Sequence, residues 1–180
     1  MELSARLNAN EALGGRVLKV NHAGENGAVS IYAGQVLLAR ITARALVPEL
    51  MEFKEHEEKH RAIFLAELNR RGLPRCRSYL LCGAGGFGLG VVTGLFGRRA
   101  IAATTVAVEH VVLRHLKQQL RVLAGKDQAA VEAISKIVEE EQQHHDQSAA
   151  HASQDRFWQK VLTPIVAAST ESVIWLGMHL

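Results

Sequence analysis

Proline, cysteine and aromatic residues are scarce in this chain. Three prolines in 180 residues leave long stretches in which a helix can form without interruption. The two cysteines, Cys76 and Cys82, have neither the spacing of a metal site nor that of a thioredoxin motif. Since the N-terminus shows no secretory signal, we expect both to be reduced thiols in a cytosol-facing protein.

The chain also lacks a strong charge of either sign. Lys and Arg together number 21 and Asp and Glu 18, which gives a formal net charge of +3. A balance this mild does not predict nucleic acid as a partner. With 180 residues and 48 % hydrophobic side chains, the chain can bury one good core, so we predict a single domain over residues 1–180.

No segment has a convincing strand pattern, and the turn residues divide the chain into helices. Pro48 lies near the start of a second helix that Gly72-Leu73-Pro74 ends, and Gly125 closes a third. Pro164 is expected to start or kink the last helix. The predicted helices are about 10–43, from Pro48 to Gly72, 99–123, 127–152 and 156–179. The fold class is therefore all-α.

Four glutamates and two histidines stand in a pattern that occurs twice. Each set contains one Glu and, 32 residues later, a Glu-x-x-His pair, and the second set repeats the first 84 residues further on. One Glu from each of two helices and a Glu-x-x-His from each of two others form the ligand set of a di-iron site in a four-helix bundle. The six candidates are Glu25, Glu57, His60, Glu109, Glu141 and His144.

Each candidate ligand lies in an otherwise apolar or small-residue stripe of its helix. Around Glu57, the positions at helical spacing include Leu50, Phe53 and Phe64. A buried carboxylate is costly unless it is paired or bound to metal, and no Lys or Arg is interleaved in these stripes. We therefore predict that all six bind metal and form the catalytic centre, with two iron ions per chain and O₂ as co-substrate. The second nitrogen of each imidazole should donate to a carboxylate or a carbonyl.

A simpler explanation applies to the charged neighbours of these ligands. Runs such as 53–61 and 139–146 are usually solvated helix faces. We assign five glutamates to such faces: Glu52, Glu55, Glu58, Glu139 and Glu140.

Two apolar segments remain outside the four ligand helices. Residues 78–97 contain no charge and seven glycines, with arginines on both sides, and residues 161–180 contain Glu171 as the single acidic side chain. They are either core or dimer-contact helices, or helices that lie on or dip into a membrane, and we favour the membrane. The expected location is the cytoplasmic face of the cell (inner) membrane, as a peripheral protein.

A match to the dinucleotide fingerprint occurs between Gly83 and Gly88. That fingerprint requires a preceding strand and a βαβ unit, and the residues before it are basic and turn-like. We interpret these glycines as packing residues of an apolar helix, so that no nicotinamide cofactor is bound through a Rossmann motif.

The chain resembles the demethoxyubiquinone hydroxylases, which are flavin-free di-iron monooxygenases of ubiquinone biosynthesis. The resemblance rests on five motifs that follow one another along nearly the whole chain: Asn21-His-Ala-Gly-Glu-Asn-Gly-Ala28, Ile31-Tyr-Ala-Gly-Gln35, Glu57-Glu-Lys-His60, Thr105-Val-Ala-Val-Glu109 and Glu141-Gln-Gln-His-His-Asp146.

The resemblance implies a ferritin-like antiparallel bundle that hydroxylates the ring of a polyprenylated demethoxy-benzoquinone or quinol, converting demethoxyubiquinone to demethylubiquinone. It implies NADH or a reductase as electron donor. The partners it implies are the quinone, membrane lipids, other ubiquinone-biosynthesis proteins and a second copy of the chain.

The resemblance also assigns four residues to substrate contact or electron entry: His115, Arg16, Tyr32 and Trp175. His115 matches the family's His-Tyr pair after the third-helix Glu, but Leu116 stands where the family has tyrosine. Arg16 is equally explained as a solvated helix arginine.

Two other functions share the expected fold. A ferritin-like ferroxidase would need a soluble, shell-forming surface, which the apolar segments disfavour. A non-catalytic protein that binds quinone or lipid would gain nothing from six buried metal ligands.

Overall fold

The computed structural model describes residues 4–7, 11–152 and 156–180. Seven α-helices and one 3₁₀ turn make up the described part, which contains no strand, so the all-α prediction is confirmed. The helices are α1 (Leu13–Thr42), α2 (Val47–Arg70), α3 (Tyr79–Leu95), α4 (Arg98–Leu123), α5 (Gln128–Ser135), α6 (Val138–Ala152) and α7 (Arg156–His179), with the 3₁₀ turn Arg44–Leu46 before α2.

Most predicted helix ends agree with the structure to within a few residues. Gly72 and Gly125 follow α2 and α4 with φ values of 62° and 71°, the left-handed conformation that glycine adopts after a helix. The predicted start of the first helix near Asn10 lies outside the described residues. Pro164 lies inside α7 and does not start it.

One predicted helix is wrong, because 127–152 forms two helices. The chain turns at Lys136 and Ile137, where the Ile137 N–H donates to the Ile134 carbonyl at 3.2 Å. Both isoleucines are fully buried, so the turn lets two residues three apart enter the core. The segment contains neither Gly nor Pro, so the sequence has no conventional signal for this break.

The four helices that carry the candidate ligands form an antiparallel bundle. Side-chain contacts between α1 and α4 pair Asn21 with Gln119 and Tyr32 with Glu109, so the two helices run in opposite directions. Between α2 and α6 the order is also reversed, since His56 contacts His144 and His60 contacts Glu140.

The two remaining long helices each lie parallel to a ligand helix. On α3, Gly86, Gly90 and Gly94 face Gly27, Ile31 and Gln35 of α1 in the same order. On α7, Val166 packs near Val108 of α4, and Glu171 contacts His115 seven residues further along α4. The internal repeat therefore extends beyond the ligands, because each half contains a single-Glu helix, a Glu-x-x-His segment and an apolar helix.

Glycine allows α3 to approach α1 closely. A Cβ atom at Gly90 would lie 2.1 Å from the Ile31 carbonyl oxygen, and one at Gly86 would lie 2.3 Å from that of Gly27. The dinucleotide-like match falls inside this helix, and no strand precedes it in the described part of the chain. These glycines are packing residues, as predicted.

The outer surface of α3 and α7 is apolar and exposed. Large exposed side chains on these two helices include Leu80, Leu81, Phe87, Val92, Leu95, Phe157, Ile165 and Trp175. Among the described helices, the segment Phe157–His179 of α7 is long and apolar enough to cross a bilayer, whereas α3 is apolar but shorter.

Candidate metal centre and cavity

The bundle brings all six predicted ligands together at its centre. α1 supplies Glu25 and α4 supplies Glu109, while α2 and α6 each supply a Glu-x-x-His pair. The pairs lie one helical turn apart, so both members point to the same side of their helix. All six residues are at most 5 % exposed: Glu25, Glu57, His60, Glu109, Glu141 and His144.

The ligands form two overlapping groups that could each hold a metal ion. In each group the ligand atoms lie within 4.8 Å of one another. Glu57 and Glu141 belong to both groups, so either carboxylate can bridge two ions. The first group adds Glu25 and His60, and the second adds Glu109 and His144.

Both histidines point Nδ1 at the shared carboxylates. His60 Nδ1 lies 3.0 Å from Glu141 and 3.6 Å from Glu57, and His144 Nδ1 lies 3.2 Å from Glu57. None of these contacts has hydrogen-bond geometry, so both Nδ1 atoms, both oxygens of Glu57 and Oε1 of Glu141 are buried without a hydrogen-bond partner among the described residues. Unpartnered imidazole and carboxylate lone pairs facing one another are a donor set suited to metal cations.

The electrostatics of the centre show how much positive charge it needs. Burial, together with Glu57 and Glu141, raises the pKa of Glu25 well above its usual value, and burial with Glu141 and Glu57 does the same for Glu109. The pKa of His60 is raised to about 10, because contact with Glu141 and Glu57 outweighs burial, which lowers it. Without metal, protons must therefore supply part of the charge that two divalent cations would bring.

Two outer residues hold the ligand histidines. His60 Nε2 lies 2.7 Å from Glu140 Oε2, so the expected carboxylate partner is present. Glu140 was assigned to a solvated face, and this contact corrects that assignment. His144 Nε2 lies 3.0 Å from His56 Nδ1, so its partner is an imidazole and not the predicted carboxylate or carbonyl. Neither partner has a sequence signal, because both contacts depend on how α2 packs against α6.

A cavity of about 430 Å³ leads from the ligand cluster to the outer surface. It is bounded by α1, α3, α4 and α7, and Glu25, Glu57, Glu109 and Glu141 lie at its inner end. Leu81 of α3 and Ile165 of α7 also line it, and they are 54 % and 62 % exposed. The cavity therefore opens between the two exposed apolar helices.

A buried amide pair in the cavity wall was missed by the sequence. Asn21 and Gln119 exchange two hydrogen bonds, at 2.8 and 3.0 Å, between α1 and α4. They lie 98 residues apart, so the sequence carries no signal for the pair.

Of the four residues assigned to substrate contact or electron entry, two lie at the site. Tyr32 is buried and its hydroxyl donates to Glu109 Oε1 at 3.1 Å. His115 lines the cavity, as does Leu116, the residue that replaces the family tyrosine.

The other two are absent from the residues that line the cavity in the described part of the chain. Arg16 is buried, and its guanidinium binds Glu11 at 2.6 Å and the Gly177 carbonyl at 3.1 Å, so it is not a solvated arginine. Trp175 is 60 % exposed and stacks on His179.

The fold and the cluster together define an all-α, ferritin-like bundle protein with a carboxylate and histidine site suited to metal. Residues 12–177 match the family model described as ubiquinone biosynthesis protein COQ7, and the chain belongs to this family.

Similar proteins include enzymes from bacteria and eukaryotes. The chain is 36 % identical over 169 residues to 3-demethoxyubiquinol 3-hydroxylase of Rhodospirillum rubrum, covering 92 % of this chain and 78 % of that protein. It is 34 % identical over 165 residues to the mitochondrial NADPH-dependent 3-demethoxyubiquinone 3-hydroxylase of Dictyostelium discoideum, covering 90 % and 75 %. For the human enzyme of the same name the identity is 31 % over 179 residues, covering 96 % and 81 %.

Proposed function

We propose that this protein is a di-iron monooxygenase that uses O₂ to hydroxylate the ring of a polyprenylated demethoxy-benzoquinone or quinol in ubiquinone biosynthesis. The observation that carries the proposal is the position of the two overlapping ligand groups at the inner end of an apolar cavity. The names of the relatives support the same reaction, since each is called a 3-hydroxylase of demethoxyubiquinone or demethoxyubiquinol.

The donor set fits two iron ions. Glu25 and His60 would hold one and Glu109 and His144 the other, with Glu57 and Glu141 shared. Four carboxylates balance the charge of two divalent cations, and imidazole with carboxylate is a ligand combination that suits iron. Bound iron supplies the electrons that reduce O₂.

The protein's own groups hold this centre in place. Tyr32 donates a hydrogen bond to Glu109, and Glu140 and His56 orient the two ligand imidazoles from outside. The cluster is almost fully buried, so bulk water has little access to the reacting groups.

The cavity suits an apolar substrate with a polar ring. Apolar side chains form most of its wall, and polar groups are confined to a few positions, among them the inner glutamates, His115 and the amide pair Asn21 and Gln119. A quinone ring would enter head first, and its prenyl tail would lie between α3 and α7.

The exposed apolar helices support a peripheral position on a membrane, at the cytoplasmic face of the cell (inner) membrane. The mouth of the cavity lies between them, so a lipid-soluble substrate could enter from the bilayer without crossing water.

The arginines predicted to flank the membrane segment contribute less charge than expected. Arg70 binds Glu67, and Arg71 binds both Glu67 and Asp127. Arg75 lies over the ring of Tyr79, 4.8 Å from its centroid, and stays exposed beside Arg77. Attraction to anionic headgroups would therefore rest on fewer than the six arginines in the sequence.

Electrons would come from a reduced nicotinamide nucleotide or a reductase. The names of the mitochondrial relatives specify NADPH, whereas the sequence suggested NADH. The nucleotide would not bind through the glycines of α3, because they pack against α1.

Iron content and turnover test the proposal together. We expect the detergent-purified protein to contain about two irons per chain by elemental mass spectrometry. We also expect it to convert a short-chain demethoxyquinol to a product that is heavier by one oxygen atom. The Glu57→Ala, His144→Ala double variant should lose both properties, whereas Glu52→Ala, an exposed glutamate on the same helix, should keep both.

The alternatives give different results. A ferroxidase would accumulate mineral iron and leave the quinol unchanged. A non-catalytic quinone-binding or lipid-binding protein would co-purify with quinone while carrying little iron. Either result would contradict the proposal.

A further inference from the structure

Glu171 is the single acidic residue of α7, and it reaches across to α4. Its Oε2 lies 2.9 Å from His115 Nε2, and its other oxygen contacts the Arg114 guanidinium. Glu171 therefore holds an otherwise apolar helix to two neighbouring residues of α4, one of which lines the cavity.

The contact determines which nitrogen of His115 carries the proton. An ionised carboxylate only accepts hydrogen bonds, so Nε2 must donate to Glu171. Burial and the neighbouring Arg114 lower the pKa of His115, so the ring is neutral near pH 7 and Nδ1 keeps its lone pair. This Nδ1 atom is buried and has no hydrogen-bond partner among the described residues.

A buried acceptor without a donor in the wall of a binding cavity is typical of a ligand contact. A hydroxyl group can donate to the Nδ1 lone pair, whereas a carbonyl oxygen there would place two lone pairs against each other. The two redox states of a quinone differ in this respect, since the quinol has hydroxyl groups where the quinone has carbonyl oxygens.

We infer that Glu171 is a positioning residue that fixes His115 with Nδ1 as a hydrogen-bond acceptor, so that the cavity binds the quinol form of its substrate in preference to the quinone. The inference rests on the proposed function, because it assumes that a quinone or quinol occupies the cavity. Glu171 itself need not touch the substrate, since it acts through His115.

The tautomer of His115 is the first test. In the zinc-loaded, diamagnetic full-length protein, ¹⁵N NMR with a His115→Gln variant for assignment should show Nε2 protonated and Nδ1 bare. In Glu171→Leu the ring should become a mixture of tautomers, and in Glu171→Asp the wild-type tautomer should persist. A protonated Nδ1 in the wild-type protein would overturn the inference.

Redox-state preference is the second test. Equilibrium binding of a short-chain demethoxyquinol and its quinone to the iron-loaded protein would be measured without oxygen. We expect the wild type to favour the quinol, and Glu171→Leu to reduce the ratio of the two affinities about five- to tenfold, the range for one lost hydrogen bond. Ser172→Ala, at an exposed position on the same helix, should leave the ratio unchanged.

The outcomes separate the two proposals. If the wild type binds and hydroxylates quinol but Glu171→Leu keeps the wild-type ratio, the role of Glu171 is wrong and the proposed function stands. If the wild type binds neither form, the proposed function fails and the inference with it. Circular dichroism of each variant shows whether the bundle is intact, and the Asp variant separates lost acceptor from lost packing.

Discussion

At the scale of single residues, the centre depends on groups outside the ligand set. His60 is oriented by Glu140, which lies beside the ligand Glu141 in sequence but on a different face of α6. Adjacent residues of one helix thus have separate roles, one as a ligand and the other as the support of a ligand on a neighbouring helix. An outer carboxylate of this kind orients the imidazole and makes it a stronger donor to metal.

Glu140→Ala should therefore weaken metal binding without unfolding the bundle. We expect iron affinity to fall about tenfold, the lower end for such an outer contact, because the Glu140 side chain is 40 % exposed. Competition with a chelator measures the affinity. Glu139→Ala is the matched control, since Glu139 is exposed on the same helix, and equal affinities for the two variants would contradict the assigned role.

At the scale of the elements, glycine determines how closely α3 lies against α1. Gly90→Ala should destabilise the protein by about 1–3 kcal/mol, because its Cβ would meet the Ile31 carbonyl and force the helices apart. Gly88→Ala, on the exposed side of α3, meets no atom within 4 Å and should be neutral or stabilising by up to about 1 kcal/mol. Urea unfolding distinguishes them, and equal stabilities would argue against close packing.

Asp127 joins the start of α5 to the end of α2. Its carboxylate accepts from the Ala130 N–H at 3.1 Å as an N-cap and binds Arg71 through both oxygens at 2.7 and 2.8 Å. The contact with Arg71 lowers the pKa of Asp127 from 3.8. Since the pKa in the folded state is the lower one, this stabilisation is present above pH 3.8 and is lost as the pH falls through the folded value.

Asp127→Ala should consequently lower the free energy of unfolding by about 1–3 kcal/mol at pH 7. Asp127→Asn should lose less, because asparagine still caps a helix but cannot pair with Arg71. The difference between wild type and Asn should shrink as the pH is lowered below 3.8, measured by urea unfolding with Glu132→Gln as the control. A difference that grows in acid would exclude the ion pair as its source.

At the scale of the whole molecule, the exposed apolar residues are concentrated on the two helices that flank the cavity. Phe96 and Trp158 bring the end of α3 to the start of α7, with ring centroids 5.0 Å apart. Access to the buried centre and contact with the bilayer are therefore functions of one surface.

Charge on this surface should abolish membrane association. We expect Phe87→Glu, Val92→Glu to release the protein from vesicles that contain anionic lipid, because two carboxylates would have to leave water. Met51→Glu, at an exposed apolar position on α2, should bind like the wild type. Co-sedimentation with vesicles measures binding, and retention of the α3 variant would place the membrane contact elsewhere.

Much of this architecture was predictable, because it follows from local periodicity. Helical spacing placed each Glu-x-x-His pair on one face, and the second set, offset by 84 residues, predicted a second half with the same ligands. Glycine and proline located most helix ends. The break between α5 and α6 was not predictable, because tertiary burial of Ile134 and Ile137 causes it and no turn residue marks it.

The sequence by itself determined the fold class, the six candidate ligands and the family, since these depend on residue type and spacing along single helices. Only the tertiary structure decided that Glu57 and Glu141 are the shared carboxylates, that His56 and Glu140 support the ligand histidines, and that Arg16 lies outside the cavity wall. The physical reason is that each of these facts depends on contacts between helices that are remote in sequence. The register and close approach of those helices are set by packing, to which no single helix carries a local signal.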